Sequence, residues 1–436
     1  MNSRFFQSDN NYLKILIPIH IAPNNLSFQT IYFNNVIKAL KKKIDVKIFW
    51  VTYMPNKFES KKEKDSEILD IHDFKNALEI IEKIKPNIVF AYTGGPQGQI
   101  HYSLSLASKR CNVPVVSLMT VDRLIDVKRF KYLKSNISRF FESSIPTITN
   151  ENKKIFFGKG RFFIYKTLFM INTLRVLKKN YVFILNDLFN LIKAFSSTIH
   201  SLNAEYSNTL HVLDNEGMVK PLIKAGFDEK SLVVTGNPLY DKTFKKIKEV
   251  SHIERNGIPQ ILLITSPVVE HGTWTKQERD EAVKGMVKQF LEHSNEMNLK
   301  IKIHPSHENL SEYEKIVNEE NSSIIIYREG DILDFLNQCD AVIIYDSETT
   351  ASISALIARK PIVICNFQNS KKDRFLEKGL AIECTNPKKI IDAIKKSIII
   401  GIDENRIQGF VKKELFKDDG MSSERVANAI LKLIHK

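Results

Sequence analysis

Residues 341–345, Ala-Val-Ile-Ile-Tyr, are apolar without a break, and Asp346-Ser347-Glu348-Thr349-Thr350 follows at once. A run of strand length with no polar alternation suits a strand covered on both faces, as in a parallel sheet flanked by helices. Residues 351–359 then read as a helix and residues 361–366 as another strand. Strand, short turn, helix and strand describe a parallel βαβ crossover. Upstream, residues 299–303 are apolar at alternate positions and stop at His304-Pro305. Proline cannot extend a central strand, so His304 is expected at the strand's C-terminal end. Ligands of open α/β sheets bind beyond the C-terminal strand ends. His304 and the hydroxyl-rich turn therefore both fall on the expected binding edge.

The turn offers the hydroxyls of Ser347, Thr349 and Thr350, with Glu348 among them, and backbone N–H groups at a helix start. That set suits an anion, most often phosphate. His304, next to Pro305, adds a donor that can be cationic near neutral pH. A nucleotide mono- or diphosphate fits this set better than a neutral ligand. The plain alternative is a helix cap beside a strand-ending turn.

A chain of 436 residues has room for two domains. Apolar content of 43% and charged content of 26% describe an ordinary soluble globular protein. The four cysteines, Cys111, Cys339, Cys365 and Cys384, form no C-x-x-C pair. They read as buried thiols in a reducing cytoplasm, without a zinc site or a disulfide framework. The N-terminal residues show no secretory pattern, and no apolar run approaches the length of about 20 residues that a membrane span needs.

In chain order, residues 13–19 read as a strand with His20 at its tip, 30–41 as a helix and 46–51 as a strand. A polar loop at 56–66, a helix at 74–84, a strand at 88–92, a Gly-rich turn, a helix at 102–111 and a strand at 114–119 follow. The Gly94-Gly95 turn is not a G-x-G-x-x-G fingerprint, so a nicotinamide or flavin cofactor has no support. The second half repeats the style, with strands at 210–213 and 261–265, the turn Thr235-Gly236-Asn237-Pro238, a helix at 276–294 and an amphipathic C-terminal helix. The expected fold class is α/β, with two doubly wound parallel-sheet domains facing a cleft. The expected domains are 1–240 and 241–436, joined by a linker at 242–259, with the last helix free to cross back.

Residues 128–193 break the pattern. They hold 14 Lys or Arg and three acids, a net +11 of the chain's +14, amid many Phe, Ile and Leu. A basic, aromatic-rich helical insertion, placed at about 128–200, is the signature of a membrane-surface helix. The alternative is a helical insertion packed on the sheet with its cations solvated. Nucleic acid is the weaker partner, because no nucleic-acid motif accompanies the charge.

Gly236-Asn237-Pro238, Ser266-Pro267 with Glu270-His271-Gly272, His304-Pro305, Ser347 with Thr349-Thr350, and Lys360-Pro361 occur in an order that resembles GT-B enzymes of surface-polysaccharide synthesis. These include polysialyltransferase and sialyltransferase-like families, CDP-glycerol glycerophosphotransferases and non-hydrolysing UDP-N-acetylglucosamine 2-epimerases. The resemblance covers about residues 205–436 well and the first half in outline. It implies sugar transfer from a CMP, CDP or UDP donor to a surface glycan or lipid-linked acceptor. The donor's nucleotide would be a substrate, with no cofactor and no metal. Epimerases of this fold carry paired carboxylates after the hydroxyl turn, where this chain has Ile353-Ser354. They also carry an acidic motif where residues 120–126 here read Thr-Val-Asp-Arg-Leu-Ile-Asp.

In that reading His304, Ser347, Thr349 and Thr350 hold the phosphate, and Gly236-Asn237 let backbone approach the nucleotide. His20 and Asp122 are candidate bases for the acceptor hydroxyl. Glu270 and His271 contact the donor sugar or line the cleft. The alternatives are a UDP-sugar 2-epimerase and a non-catalytic scaffold on a lipid surface. The expected location is cytoplasmic, with peripheral attachment to the inner face of the cell membrane left open.

Overall fold

A computed structural model describes residues 12–19, 26–52, 65–92, 98–119, 159–196, 209–224, 226–249, 257–269, 274–305, 308–345, 349–368 and 374–435. The chain divides into two compact units. The first comprises 1–239, 413–417 and 421–436, and the second comprises 240–412 and 418–420.

Seven parallel strands build the first unit: β1 (Leu13–Pro18), β2 (Val46–Thr52), β3 (Ser66–Asp70), β4 (Ile88–Tyr92), β5 (Val115–Met119), β6 (Leu210–Leu213) and β7 (Leu232–Val234). Their order is β3-β2-β1-β4-β5-β6-β7. One face is covered by the helices Leu26–Lys41 and Ser422–Ile434, through Phe33, Val36, Ile37 and Leu40 with Val426, Ala427 and Ile430. The opposite face is covered by Ile80, Ile81 and Ile84 of Ala77–Ile84, Leu104 and Ala107 of Gln99–Arg110, and Phe169.

The second unit has six parallel strands: β8 (Gln260–Ile264), β9 (Asn298–Lys302), β10 (Ile325–Tyr327), β11 (Ala341–Tyr345), β12 (Ile362–Cys365) and β13 (Ile382–Cys384). Their order is β10-β9-β8-β11-β12-β13. All five residues of β11 are fully buried, which explains its unbroken apolar sequence. Each fully buried aliphatic side chain contributes about 1.5–3 kcal/mol. Both units are doubly wound α/β sheets, and the fold is of the GT-B type.

Several local readings are corrected. Ser66–Asp70 is an edge strand, paired with β2, where a polar loop was expected to end at 66. The helix expected from 74 begins at Ala77, because Asn76 caps it by accepting the Glu79 N–H. The helix expected from 102 already begins at Gln99. Residues 242–249 of the expected linker belong to the helix Asp241–Glu249, whose Thr243 and Phe244 are buried. Cys339, Cys365 and Cys384 are buried, but Cys111, just past the helix Gln99–Arg110, is only partly so. Residues 159–196 of the basic insertion are two helices, Lys159–Val176 and Tyr181–Ser196, in the crossover from β5 to β6. Lys166 departs from the solvated-cation picture: it is 2% exposed, and burial pulls its pKa down to about 7.

Candidate functional site

The strand order of the second unit reverses at β8. The chain steps from β8 to β9 and β10 on one side, then returns to place β11 on the other. The crevice at such a reversal is where open α/β sheets bind ligands. Lys302, Ile264 and Ile344 stand level across β9, β8 and β11. Two residues further along lie His304 and Ser266, and β11 ends at Tyr345, one residue past Ile344, so the His-Pro turn and the helix that begins at Thr350 follow strand ends on the same sheet edge. With β8 between them, the two turns leave strands about 10 Å apart. The Ser266 hydroxyl donates to the Tyr345 carbonyl at 3.1 Å, tying β8 to β11 across the reversal.

The His304 loop is held from below by a buried carboxylate. Glu308, 3% exposed, accepts the His304 backbone N–H at 2.7 Å through Oε2. The same oxygen accepts the Thr265 hydroxyl, and Oε1 accepts the Tyr313 hydroxyl. Three donors make a buried carboxylate tolerable, where an unpaired one would be costly. Tyr313 stacks under the Arg279 guanidinium at 4.9 Å, and Arg279 bridges to Glu312 and Asp280 at 2.5 Å each. Burial, and then the nearby Glu308 charge, push the Tyr313 phenol well above its ordinary range, so it stays a donor. Two cations clamp the turn: Arg328 Nε donates to the Pro305 carbonyl at 3.0 Å, and Lys302 Nζ donates to the carbonyls of Ile303 at 2.9 Å and Arg328 at 2.7 Å. Burial lowers the Lys302 pKa. His304 itself is half-buried and Pro305 exposed.

Thr349 and Thr350 begin the helix Thr350–Ile357. Thr349 is its cap: the Oγ1 atom accepts the Ser352 N–H at 3.2 Å, and Ser352 Oγ accepts the Thr349 N–H at 3.1 Å. The first N–H groups of a helix have no partner within it. That of Ser352 is used by the cap, and among the described residues those of Thr350 and Ala351 meet no acceptor. Both residues are half-buried. Two unspent amides and the positive end of the helix dipole therefore sit at the sheet reversal, a geometry suited to an anion. The Tyr345 hydroxyl, fully buried beneath this edge, also has no partner among the described residues.

Gly236 and Asn237 belong to the first unit. Gly236 has φ +79°, and a Cβ there would meet Ser422 Oγ at 2.5 Å. Asn237 is buried, donates to Asp214 Oδ2 at 3.1 Å and accepts the Leu239 N–H at 2.9 Å. Its amide is thus engaged in the turn after β7. His20, Asp122, Glu270, His271, Ser347 and Glu348 lie outside the described residues. His304, Pro305, Thr349 and Thr350 are brought to one sheet edge.

The residues sequence reasoning missed are Glu308, Thr265 and Tyr313. The available signal was the spacing His304-Pro305-x-x-Glu308, but Glu308 followed by a polar helix reads as solvated surface. Only the fold shows it buried.

Residues 260–366 match a protein family described as Capsule polysaccharide biosynthesis protein. The matched span runs from β8 through β12, and so contains the edge described above. No functionally curated protein sequence matches the chain. Solved structures with the same fold include a UDP-N-acetylglucosamine 2-epimerase from Listeria monocytogenes, 14% identical, with a TM-score of 0.55, covering 97% of this chain and 96% of the other. The Neisseria meningitidis UDP-GlcNAc 2-epimerase bound to UDP-GlcNAc is 13% identical, with a TM-score of 0.55, covering 97% and 100%. The enzyme from Methanocaldococcus jannaschii is 15% identical, with a TM-score of 0.53, covering 97% and 99%. At this identity the likeness establishes the fold.

Proposed function

We propose that the protein is an enzyme of surface-polysaccharide synthesis that moves a sugar from a nucleotide-activated donor to a glycan or lipid-linked acceptor. The observation that carries this reading is the pair of unspent amides, Thr350 and Ala351, on the same sheet edge as His304. The capsule-family match over residues 260–366 adds support, because it spans that edge.

In the proposed reaction an acceptor hydroxyl oxygen bonds to the donor's anomeric carbon as the bond from that carbon to the phosphate oxygen breaks. The bonding pair leaves with the nucleotide, so negative charge grows on its phosphate. The amides of Thr350 and Ala351, the Thr350 hydroxyl and the His304 imidazole stabilise that charge, which is where preorganised donors act most strongly. Glu308 fixes the His304 backbone, and Lys302 and Arg328 fix the turn that carries it. A base takes the acceptor's proton; His20 and Asp122 are the proposed candidates, and Glu270 and His271 are proposed to meet the donor sugar.

A second reading, epimerisation of a UDP-sugar, is favoured by the solved structures sharing the fold, one of which holds UDP-GlcNAc. Against it stands Ile353-Ser354 on the helix after the hydroxyl turn. The two readings separate in one assay. The protein is incubated with UDP-N-acetylglucosamine, CMP- and CDP-linked donors, each with and without a polysaccharide acceptor. Nucleotide release that requires acceptor supports transfer. Conversion of UDP-N-acetylglucosamine without acceptor replaces the transferase reading with the epimerase one.

A further inference from the structure

The helices Lys159–Val176 and Tyr181–Ser196 are fastened to the first unit by their inner sides. The Tyr102 hydroxyl donates to Asp187 at 2.6 Å, the Tyr165 hydroxyl to the Ile71 carbonyl at 2.9 Å, and the Ala77 N–H to Thr173 Oγ1 at 3.0 Å. Met170, Leu174 and Ile184 are buried with Tyr102 on that side.

The outer side is apolar as well. Tyr181, Val182, Leu185 and Phe189 are 81%, 75%, 64% and 54% exposed. Helical geometry puts these four in one stripe about 100° wide, on the side away from Ile184 and Asp187. Ile164 and Leu168 of the preceding helix add two further apolar side chains, each 48% exposed. A contiguous apolar stripe left in water marks an interaction surface.

Charge identifies the partner. Arg175, Lys178 and Lys179, at the turn between the helices, are exposed. Residues 159–196 contain seven Lys or Arg and one acid, Asp187. That acid is buried and bonded to Tyr102, so no acid of the hairpin faces outward among the described residues. A second copy of the chain would bring the same cations and no anion of this hairpin to meet them. A bilayer supplies both halves: anionic headgroups for the cations and an acyl boundary for the stripe. No described helix is long and apolar enough to cross a membrane.

We propose that the helix Tyr181–Ser196 lies on an anionic phospholipid surface. Tyr181, Val182, Leu185 and Phe189 enter the acyl boundary, and Arg175, Lys178 and Lys179 engage the headgroups. The inference stands independently of the transferase reading.

The test is co-sedimentation of the full chain with vesicles of phosphatidylcholine alone and of phosphatidylcholine with one third phosphatidylglycerol, at low and at high salt. The variants are Leu185→Glu with Phe189→Glu, and Lys178→Glu with Lys179→Glu; all four positions are exposed, so thermal midpoints should match the parent. The expected result is binding only to the anionic vesicles, weakened by salt and by about ten-fold or more in each double variant. No binding to anionic vesicles, or equal binding by the Leu185/Phe189 variant, overturns the proposal. A dimer mass by light scattering that the Leu185/Phe189 variant loses, without vesicle binding, also overturns it and gives the stripe to a second copy.

Discussion

The His304 backbone N–H donates to the Glu308 carboxylate at 2.7 Å, from a loop that leaves β9, the strand next to β8, where the sheet order reverses. Glu308 collects the Thr265 and Tyr313 hydroxyls as well, so one buried side chain joins β8, the His-Pro loop and the helix Leu310–Glu319. Glu308→Ala would take this acceptor from three donors, two of them, the Thr265 and Tyr313 hydroxyls, buried. It is expected to destabilise the second unit by roughly 3 kcal/mol or more. Glu308→Gln keeps an acceptor and should lose less. Urea unfolding of both variants measures the difference, and equal stability of parent and Glu308→Ala would refute the role given to the carboxylate.

Thr349 and Thr350 are adjacent but do different work. Thr349 caps the helix, whereas the Thr350 hydroxyl makes no hydrogen bond among the described residues. Thr349→Ala is expected to cost about 1 kcal/mol of stability. Thr350→Ala should leave stability within about 0.5 kcal/mol and weaken nucleotide binding instead. Thermal unfolding beside calorimetric titration with nucleotide distinguishes the two effects. Normal binding by Thr350→Ala would remove that hydroxyl from the proposed phosphate site.

His211 on β6 supplies a pH test. It is 1% exposed, packs edge-on against Phe227 at 4.8 Å, and neither ring nitrogen has a partner among the described residues. Burial lowers its pKa from 6.5 to about 4. Between those values the unfolded chain binds a proton that the folded chain refuses, so stability is lost as pH falls through this window and is complete above it. The loss amounts to roughly 3 kcal/mol. His211→Leu should flatten that part of the stability curve. Parallel curves for parent and variant between pH 7 and 4 would contradict the assignment.

The deep strands were legible because they lie between two helical layers. Ala341–Tyr345 and Leu210–Leu213 read at their observed bounds, since complete burial demands unbroken apolar residues. The edge strands were not. In Ser66–Asp70 only Leu69 is buried, and Ile325–Tyr327 has no fully buried residue, so neither carries a strong apolar signal. The start of Gln99–Arg110 was missed because Gly98 caps it without a side-chain bond. Within the site, His304 and the Ser/Thr turn could be placed at strand ends from Pro305 and from the turn's position after β11. Glu308 could not, because a carboxylate's burial depends on donors distributed over 49 positions from Thr265 to Tyr313.

The most direct test of the phosphate cradle is calorimetric titration of the parent and of His304→Ala with CMP, CDP and UDP. Circular dichroism would verify that the variant is folded. The account predicts binding of at least one nucleotide by the parent and loss of about ten-fold or more in affinity in the variant, for one lost charge-assisted hydrogen bond. Undiminished nucleotide affinity in a folded His304→Ala protein, or no nucleotide binding by the parent, would contradict it.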